Sequence, residues 1–286
     1  MKVGIIGLGL IGGSMAKTIK VRTGHTVLGR DRSPQVVQRA RLIGAIDGEL
    51  TDEALPSCDM VLLALYPDDI VATLEALAPR FGSQAVVIDC GGIKTEICRH
   101  GRALAKRHGW TFIGGHPMAG IEKSGFAAAR QTLFAKASMI LAPDRRHIDL
   151  ETLARVKRFF LDLGFGSIKI TTPEEHDRVI AYTSQLAHVL SSAYIKSPTA
   201  LDHVGFSAGS FRDMTRVATL VPEMWAQLFL QNRGPLLQEI DGLVAHLQAY
   251  RDALAAGDRV RLETLLAEGR DMKERSNALE AAAEKP

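Results

Sequence analysis

Short, almost wholly apolar runs alternate with longer stretches whose apolar residues recur every three or four positions, and this alternation covers the first 170 residues. The short runs at 2–6, 25–30, 59–65, 84–89, 110–114, 138–142 and 167–170 predict strands. The stretches at 68–78, 95–108 and about 148–163 predict helices. A run as uniformly apolar as Met60-Val61-Leu62-Leu63 belongs to a strand covered on both faces, so the pattern predicts a parallel, doubly wound α/β sheet. At Thr171-Thr172-Pro173 the pattern changes. From there on only helical spacing is found, over roughly 174–197, 211–232, 235–256 and 258–282, which predicts an all-α half.

The first strand leads into Gly7-Leu8-Gly9-Leu10-Ile11-Gly12 and then into helical spacing from Ser14. Strand, tight glycine turn and helix in that order form the fingerprint of a Rossmann-type dinucleotide-binding unit. Gly7 permits the turn, Gly9 lets the backbone approach a pyrophosphate, and Gly12 lets helix and strand pack closely, while Leu8, Leu10 and Ile11 complete the loop. The second strand ends in Asp31, 19 residues after Gly12, where a carboxylate accepts hydrogen bonds from a ribose diol and repels a 2′-phosphate. NAD is therefore the expected cofactor. Arg30, Arg32 and Ser33 keep NADP open, because each can bind a 2′-phosphate. The division this predicts is a dinucleotide-binding domain over 1–171 and a helical substrate and dimerisation domain over 172–286.

The five glycines among the first 13 residues would break the apolar helix of a secretion signal, and no other segment is long and apolar enough to cross a bilayer. With 286 residues and 46% hydrophobic content the chain can bury a large core. Its 35 basic and 32 acidic residues are intermixed at a net +3, which gives no basic stripe for nucleic acid. Cys58, Cys90 and Cys98 are an odd, widely spaced set that fits a reducing compartment rather than disulfides or a zinc knuckle. The expectation is a cytoplasmic protein with no membrane, nucleic-acid or metal partner. Its apolar helices predict a homodimer formed through the helical half.

In an open α/β sheet ligands lie beyond the carboxyl ends of the strands. Three segments place unusual residues there: Leu65-Tyr66-Pro67, Asp89-Cys90-Gly91-Gly92-Ile93-Lys94-Thr95 and Gly114-Gly115-His116-Pro117-Met118-Ala119-Gly120. Paired glycines before His116 and a proline after it build a rigid loop that aims one imidazole, so His116 is a general-base candidate, with a capping role as the plain alternative. In the helical half Ser184 and His188 lie four apart on one helix face. Arg216, in Gly209-Ser210-Phe211-Arg212-Asp213-Met214-Thr215-Arg216, carries a guanidinium suited to a carboxylate or to an ordinary salt bridge.

Taken together, these segments resemble the prephenate dehydrogenases, within the wider group of prephenate, arogenate and cyclohexadienyl dehydrogenases of tyrosine synthesis. The resemblance rests on GLGLIGGS at 7–14, the Asp-x-Gly-x-x-Lys turn at 89–94, GGHPMAGIEKSG at 114–125, EEHD at 174–177, TSQLAH at 183–188, and FRDMTRVA at 211–218 followed by Trp225. It implies NAD-dependent oxidative decarboxylation of prephenate, arogenate or both. It assigns the catalytic base to His116 and the substrate carboxylate to Arg216. His188, Ser184, Gly209 and Lys94 become further substrate contacts, and Glu122 and Asp177 join the surrounding polar network. Arg32, Leu65, Tyr66, Pro67 and Gly91 join the glycine loop and Asp31 around the cofactor. One departure is Gly92, where the family carries a serine that helps orient the base; water, Thr95 or Cys90 would have to substitute. Competing readings are a β-hydroxyacid or imine-reducing dehydrogenase of similar layout, and an NAD-binding sensor without catalysis.

Overall fold

The computed structural model describes residues 1–121 and 123–283. Eight strands form one sheet in the order β3-β2-β1-β4-β5-β6-β7-β8. They are β1 (Lys2–Ile6), β2 (Thr26–Arg30), β3 (Gly48–Glu49), β4 (Met60–Leu63), β5 (Val86–Asp89), β6 (Thr111–Pro117), β7 (Ser138–Pro143) and β8 (Ser167–Ile170). The helices between them are α1 (Leu10–Arg22), α2 (Pro34–Leu42), α3 (Pro67–Leu77), α4 (Thr95–His108) and α5 (Leu150–Asp162).

Side-chain alternation along the strands builds a core on each face of the sheet. Met60 and Leu62 of β4 and Val86 and Ile88 of β5 join one cluster with Met15, Ile19 and Phe160. Val61, Leu63 and Val87 join the other with Ile70, Leu74, Ile97 and Trp110.

The sheet is mixed rather than wholly parallel, because β6 and β7 pair antiparallel. The cause lies in the connection between them. Each parallel step β1→β2, β4→β5 and β5→β6 uses a helix to return the chain to the amino edge, whereas the described residues between Pro117 and Ser138 hold a 3-10 turn at Phe126–Ala128 and no longer helix. That segment stays against α1, with Arg130 N donating to Ser14 Oγ at 3.0 Å and Lys17 Nζ to the Ala129 carbonyl at 2.6 Å. Ser138 therefore enters beside Pro117, and Met118 N donates to its carbonyl at 2.9 Å. Helix α5 then returns the chain so that β8 runs parallel to β7.

After β8, Thr172 caps α6 (Pro173–Ile180) by accepting from Glu175 N at 3.2 Å, with Pro173 at the first helical position. The helix continues through a π-helical segment, Ala181–Leu186, into α7 (Ala187–Tyr194). The next expected helix is broken in two, α8 (Gly209–Thr215) and α9 (Pro222–Gln231), because Pro222 holds Val221 extended at ψ 107°. Then follow α10 (Arg233–Ala256) and α11 (Arg259–Ala283).

By contacts the chain divides into two compact units, Met1–Pro235 and Leu236–Pro286. In the second, the Tyr250 hydroxyl donates to the Leu265 carbonyl at 3.0 Å across the turn at Gly257. Among the described residues no helix is long and apolar enough to cross a membrane.

Candidate active site

The carboxyl ends of β1, β4, β5 and β6 lie side by side. From β1 to β6 is three strand spacings, about 14 Å, the reach of a dinucleotide laid across the edge. At the β1 end Gly7 has φ +89°, open to glycine alone without strain, and a Cβ on Gly12 would lie 1.8 Å from the Gly7 carbonyl oxygen. A Cβ on Gly9 would meet nothing within 4 Å, so the backbone there faces open space. No side chain caps the start of α1, and no acidic residue occupies its first turn, which leaves the Leu10, Ile11 and Gly12 amides for an anion.

Asp31 is fixed beside this loop, accepting from Leu8 N at 2.8 Å and Ser33 N at 2.9 Å. Each of its oxygens keeps a lone pair for a ribose hydroxyl. Arg30 is tied to Asp52 at 2.6 Å, whereas Arg32 is exposed. Leu65 lies against Gly7, Tyr66 stands just before α3 and is exposed, and Pro67 opens α3 from a buried position. The residues present thus fit an NAD-like dinucleotide.

His116 lies near the end of β6, and its ring is part-buried. Its Nδ1 is 2.9 Å from Nε2 of His176, and His176 Nδ1 is 2.7 Å from Asp177 Oδ1. Asp177 closes the chain by accepting from Lys94 N at 2.7 Å and Thr95 N at 2.8 Å at the start of α4. Burial alone would push the Asp177 carboxyl up, but the hydrogen bonds from His176 and Thr95 outweigh it and hold the group below its usual range. Burial lowers His176, partly offset by its bond to Asp177. His116 is pushed well below 6.5, first by burial and then by the neighbouring His176 and Lys94.

An ionised Asp177 only accepts, so His176 Nδ1 carries the proton and its Nε2 is a lone pair. His116 Nδ1 must then donate to it, which leaves His116 Nε2 as the basic nitrogen. Behind this chain Lys94, fully buried, is paired with Asp89, whose other oxygen accepts from Gly115 N at 3.1 Å. Gly91 N also donates to Asp89, at 3.0 Å.

On the helical side His188 stacks on Trp225 of α9 at 3.7 Å, and its Nδ1 lies 2.9 Å from the Ser184 carbonyl. Burial lowers the His188 pKa, its bond to the Ser184 carbonyl offsets part of that, and the Arg216 guanidinium lowers it further; α7 packs against the turn that begins at Arg216. Arg216 ends α8 and starts a 3-10 turn, Arg216–Ala218, and is exposed, as is Gly209 at the start of α8. Gln185 Nε2 donates to the Leu228 carbonyl at 2.9 Å and its Oε1 accepts from Asn232 at 2.7 Å. Asn232 also donates to the Asp177 carbonyl at 2.8 Å, which ties α9 to the histidine chain.

The sequence matches the family model for the prephenate dehydrogenase nucleotide-binding domain over residues 15–169 and that for the prephenate dehydrogenase dimerization domain over residues 172–268. The chain belongs to the prephenate dehydrogenase family. A cyclohexadienyl dehydrogenase from Zymomonas mobilis is 33% identical over 267 residues, 90% of this chain and 89% of that protein. The crystal structure of a Synechocystis arogenate dehydrogenase is 29% identical with a TM-score of 0.82, covering 96% of this chain and 100% of that one. That of prephenate dehydrogenase from A. aeolicus in complex with hydroxyphenyl propionate and NAD+ is 28% identical with a TM-score of 0.81, covering 96% and 98%.

Lys94, expected as a substrate contact, and Asp177, expected in the surrounding polar network, lie behind the base rather than beside open space. Lys94 is occupied by Asp89, and both oxygens of Asp177 are held by Thr95, His176 and the Lys94 amide. Glu122 lies outside the described residues. The partner of His116 is neither Thr95 nor Cys90; burial pushes the Cys90 thiol up to about 12, so it remains protonated and inert. The residue that sequence reading missed is His176. Its signal was present, since the buried face of α6 is Pro173, His176, Asp177 and Ile180, a helical stripe with two ionisable groups where apolar ones belong.

Proposed function

We infer that this chain oxidises and decarboxylates prephenate to 4-hydroxyphenylpyruvate, arogenate to tyrosine, or both, with NAD as electron acceptor. The observation that carries the reading is a histidine chain that presents one basic nitrogen at the carboxyl edge of the sheet, in a sequence that matches the family along both halves. When bound, the nicotinamide would supply a hydride acceptor for C4 of the cyclohexadienol ring. His116 Nε2 takes the proton of the C4 hydroxyl as that hydride leaves. The resulting dienone loses its ring carboxylate as CO2, and the ring becomes a phenolate. The imidazolium returns its proton to the phenolate oxygen, so no net proton is released.

Arg216 holds a substrate carboxylate through its planar fork, and His188, Ser184 and Gly209 contact the rest of the substrate. Gly7 to Gly12, Asp31, Arg32, Leu65, Tyr66, Pro67 and Gly91 hold the cofactor. Residues 1–171 form the dinucleotide-binding domain. Residues 172–286 carry substrate contacts and join two copies in a homodimer, a reading supported by the match to a dimerization domain. Three buried free thiols accord with a cytoplasmic protein.

The test is a spectrophotometric comparison of prephenate and arogenate, each with NAD and with NADP. Reduction of NAD by at least one substrate is expected. No reduction with either substrate would overturn the reading, and a preference for NADP would overturn the cofactor assignment.

A further inference from the structure

The histidine loop alone does not explain how His116 is kept in its reactive form. In water neutral imidazole interconverts freely between two tautomers, and it prefers the proton on Nε2, the nitrogen the reaction needs bare. Two ring nitrogens, a carboxylate and two amides are arranged here to reverse that preference. The Lys94 and Thr95 amides at the start of α4 hold Asp177, Asp177 takes the His176 Nδ1 proton, and the His176 Nε2 lone pair then meets His116 Nδ1. The two rings meet at 62° with centroids 5.1 Å apart, an edge-on approach suited to a hydrogen bond in one ring's plane rather than to stacking. His176 is 3% exposed, so water does not compete for its nitrogens. The other site for an orienting group carries no side chain, and a Cβ at Gly92 would come within 3.1 Å of Leu228 Cδ2, so a group added there would require that side chain to turn.

We propose that His176 is a positioning residue of the reaction: it holds His116 as the Nδ1–H tautomer and faces the imidazolium formed there with its own lone pair, backed by Asp177. The proposal rests on His116 acting as the base. His176 touches neither substrate nor cofactor in this scheme. It acts only through His116, by keeping Nε2 unprotonated before the substrate hydroxyl gives up its proton and by accepting from Nδ1 once the charge has formed.

The test combines kinetics with nitrogen spectroscopy of the full-length enzyme. His176→Asn keeps a donor for Asp177 but is too short to reach His116. His176→Gln places a carboxamide oxygen near the lost Nε2. Turnover of His176→Asn is expected to fall at least tenfold with the KM for NAD and for the ring substrate little changed, and His176→Gln is expected to recover most of that loss. In wild-type enzyme labelled with 15N in its imidazoles, proton–nitrogen correlation should find His116 protonated at Nδ1, and in His176→Asn at Nε2. The proposal fails if wild-type His116 carries its proton on Nε2, or if His176→Asn binds NAD and turns over as wild type does. The wild-type spectrum decides the matter even if the variants do not fold. A His116→Asn control separates the two readings: wild-type turnover there overturns the base assignment itself, whereas loss there beside a fully active His176→Asn overturns only this inference.

Discussion

The two sides of the candidate site are built in opposite ways. Around His116 the polar groups are answered from other elements: His176 and Asp177 from α6, amides from the start of α4, and Asp89 from β5, all with little or no exposure. Around Arg216 the helices α8 and α9 bury no residue at all among those described, and order comes from the stack of His188 on Trp225 and a bond to a backbone carbonyl. The difference fits the two tasks proposed for them. A base must be held in one tautomer with its proton affinity set by low dielectric, which calls for a closed network. A carboxylate clamp must admit and release a charged ligand, and a guanidinium stays charged without help.

Breaking the closed side should have the largest effect. His116→Asn removes the basic nitrogen and is expected to lower turnover by about 10²-fold or more, with NAD affinity unchanged by fluorescence titration; wild-type turnover would exclude His116 as the base. A pH profile sharpens the same point. Because burial depresses the His116 pKa, its neutral, active form persists below 6.5, so the acid limb of kcat/KM should lie well under that value. A limb centred at 6.5 or higher would mean that the nitrogen is solvated.

On the open side, Arg216→Ala should raise the KM for the ring substrate by about 10–100-fold, the range expected for losing charge-assisted hydrogen bonds, and leave that for NAD nearly unchanged. Equal increases in both would remove it as a substrate clamp. Asp31→Ser should act more weakly and on the cofactor alone. It removes the acceptor of the Leu8 and Ser33 amides and the carboxylate proposed to hold the ribose, for about a tenfold loss of preference for NAD over NADP. An unchanged ratio would shift discrimination to Arg32.

What could be read beforehand follows the same divide between local and distant interactions. The strands, the glycine turn and Asp31 are legible because period, spacing and turn chemistry are written in neighbouring residues. The reversed β7 is not, since an apolar run looks alike in either direction and only the path of 118–137 across α1 decides it. The break at Pro222 was missed in the helix expected over 211–232, although the proline itself marks it. The bond between His116 and His176 joins residues 60 apart through the packing of α6 on α4, which no spacing rule encodes. Only the two ionisable residues on the buried stripe of α6 hinted at it.

The smallest expected effect tests whether that closed network has made a second orienting group unnecessary. Restoring the family residue, Gly92→Ser, puts a Cβ 3.1 Å from Leu228 Cδ2, a few tenths of an ångström too close. Leu228 cannot retreat as a unit, because its carbonyl is held by Gln185 at 2.9 Å, so its side chain must turn instead. Overpacking of this size should destabilise the fold by about 1 kcal/mol, a fall of about 2–4 °C in Tm. Turnover should stay within about threefold, because His116 already has its partner. Adding Leu228→Ala should remove the clash and give a non-additive double variant, since the two side chains share one space. A Gly92→Ser enzyme that gains turnover severalfold would instead show that His176 leaves the base incompletely oriented and that the serine hydroxyl has work left to do.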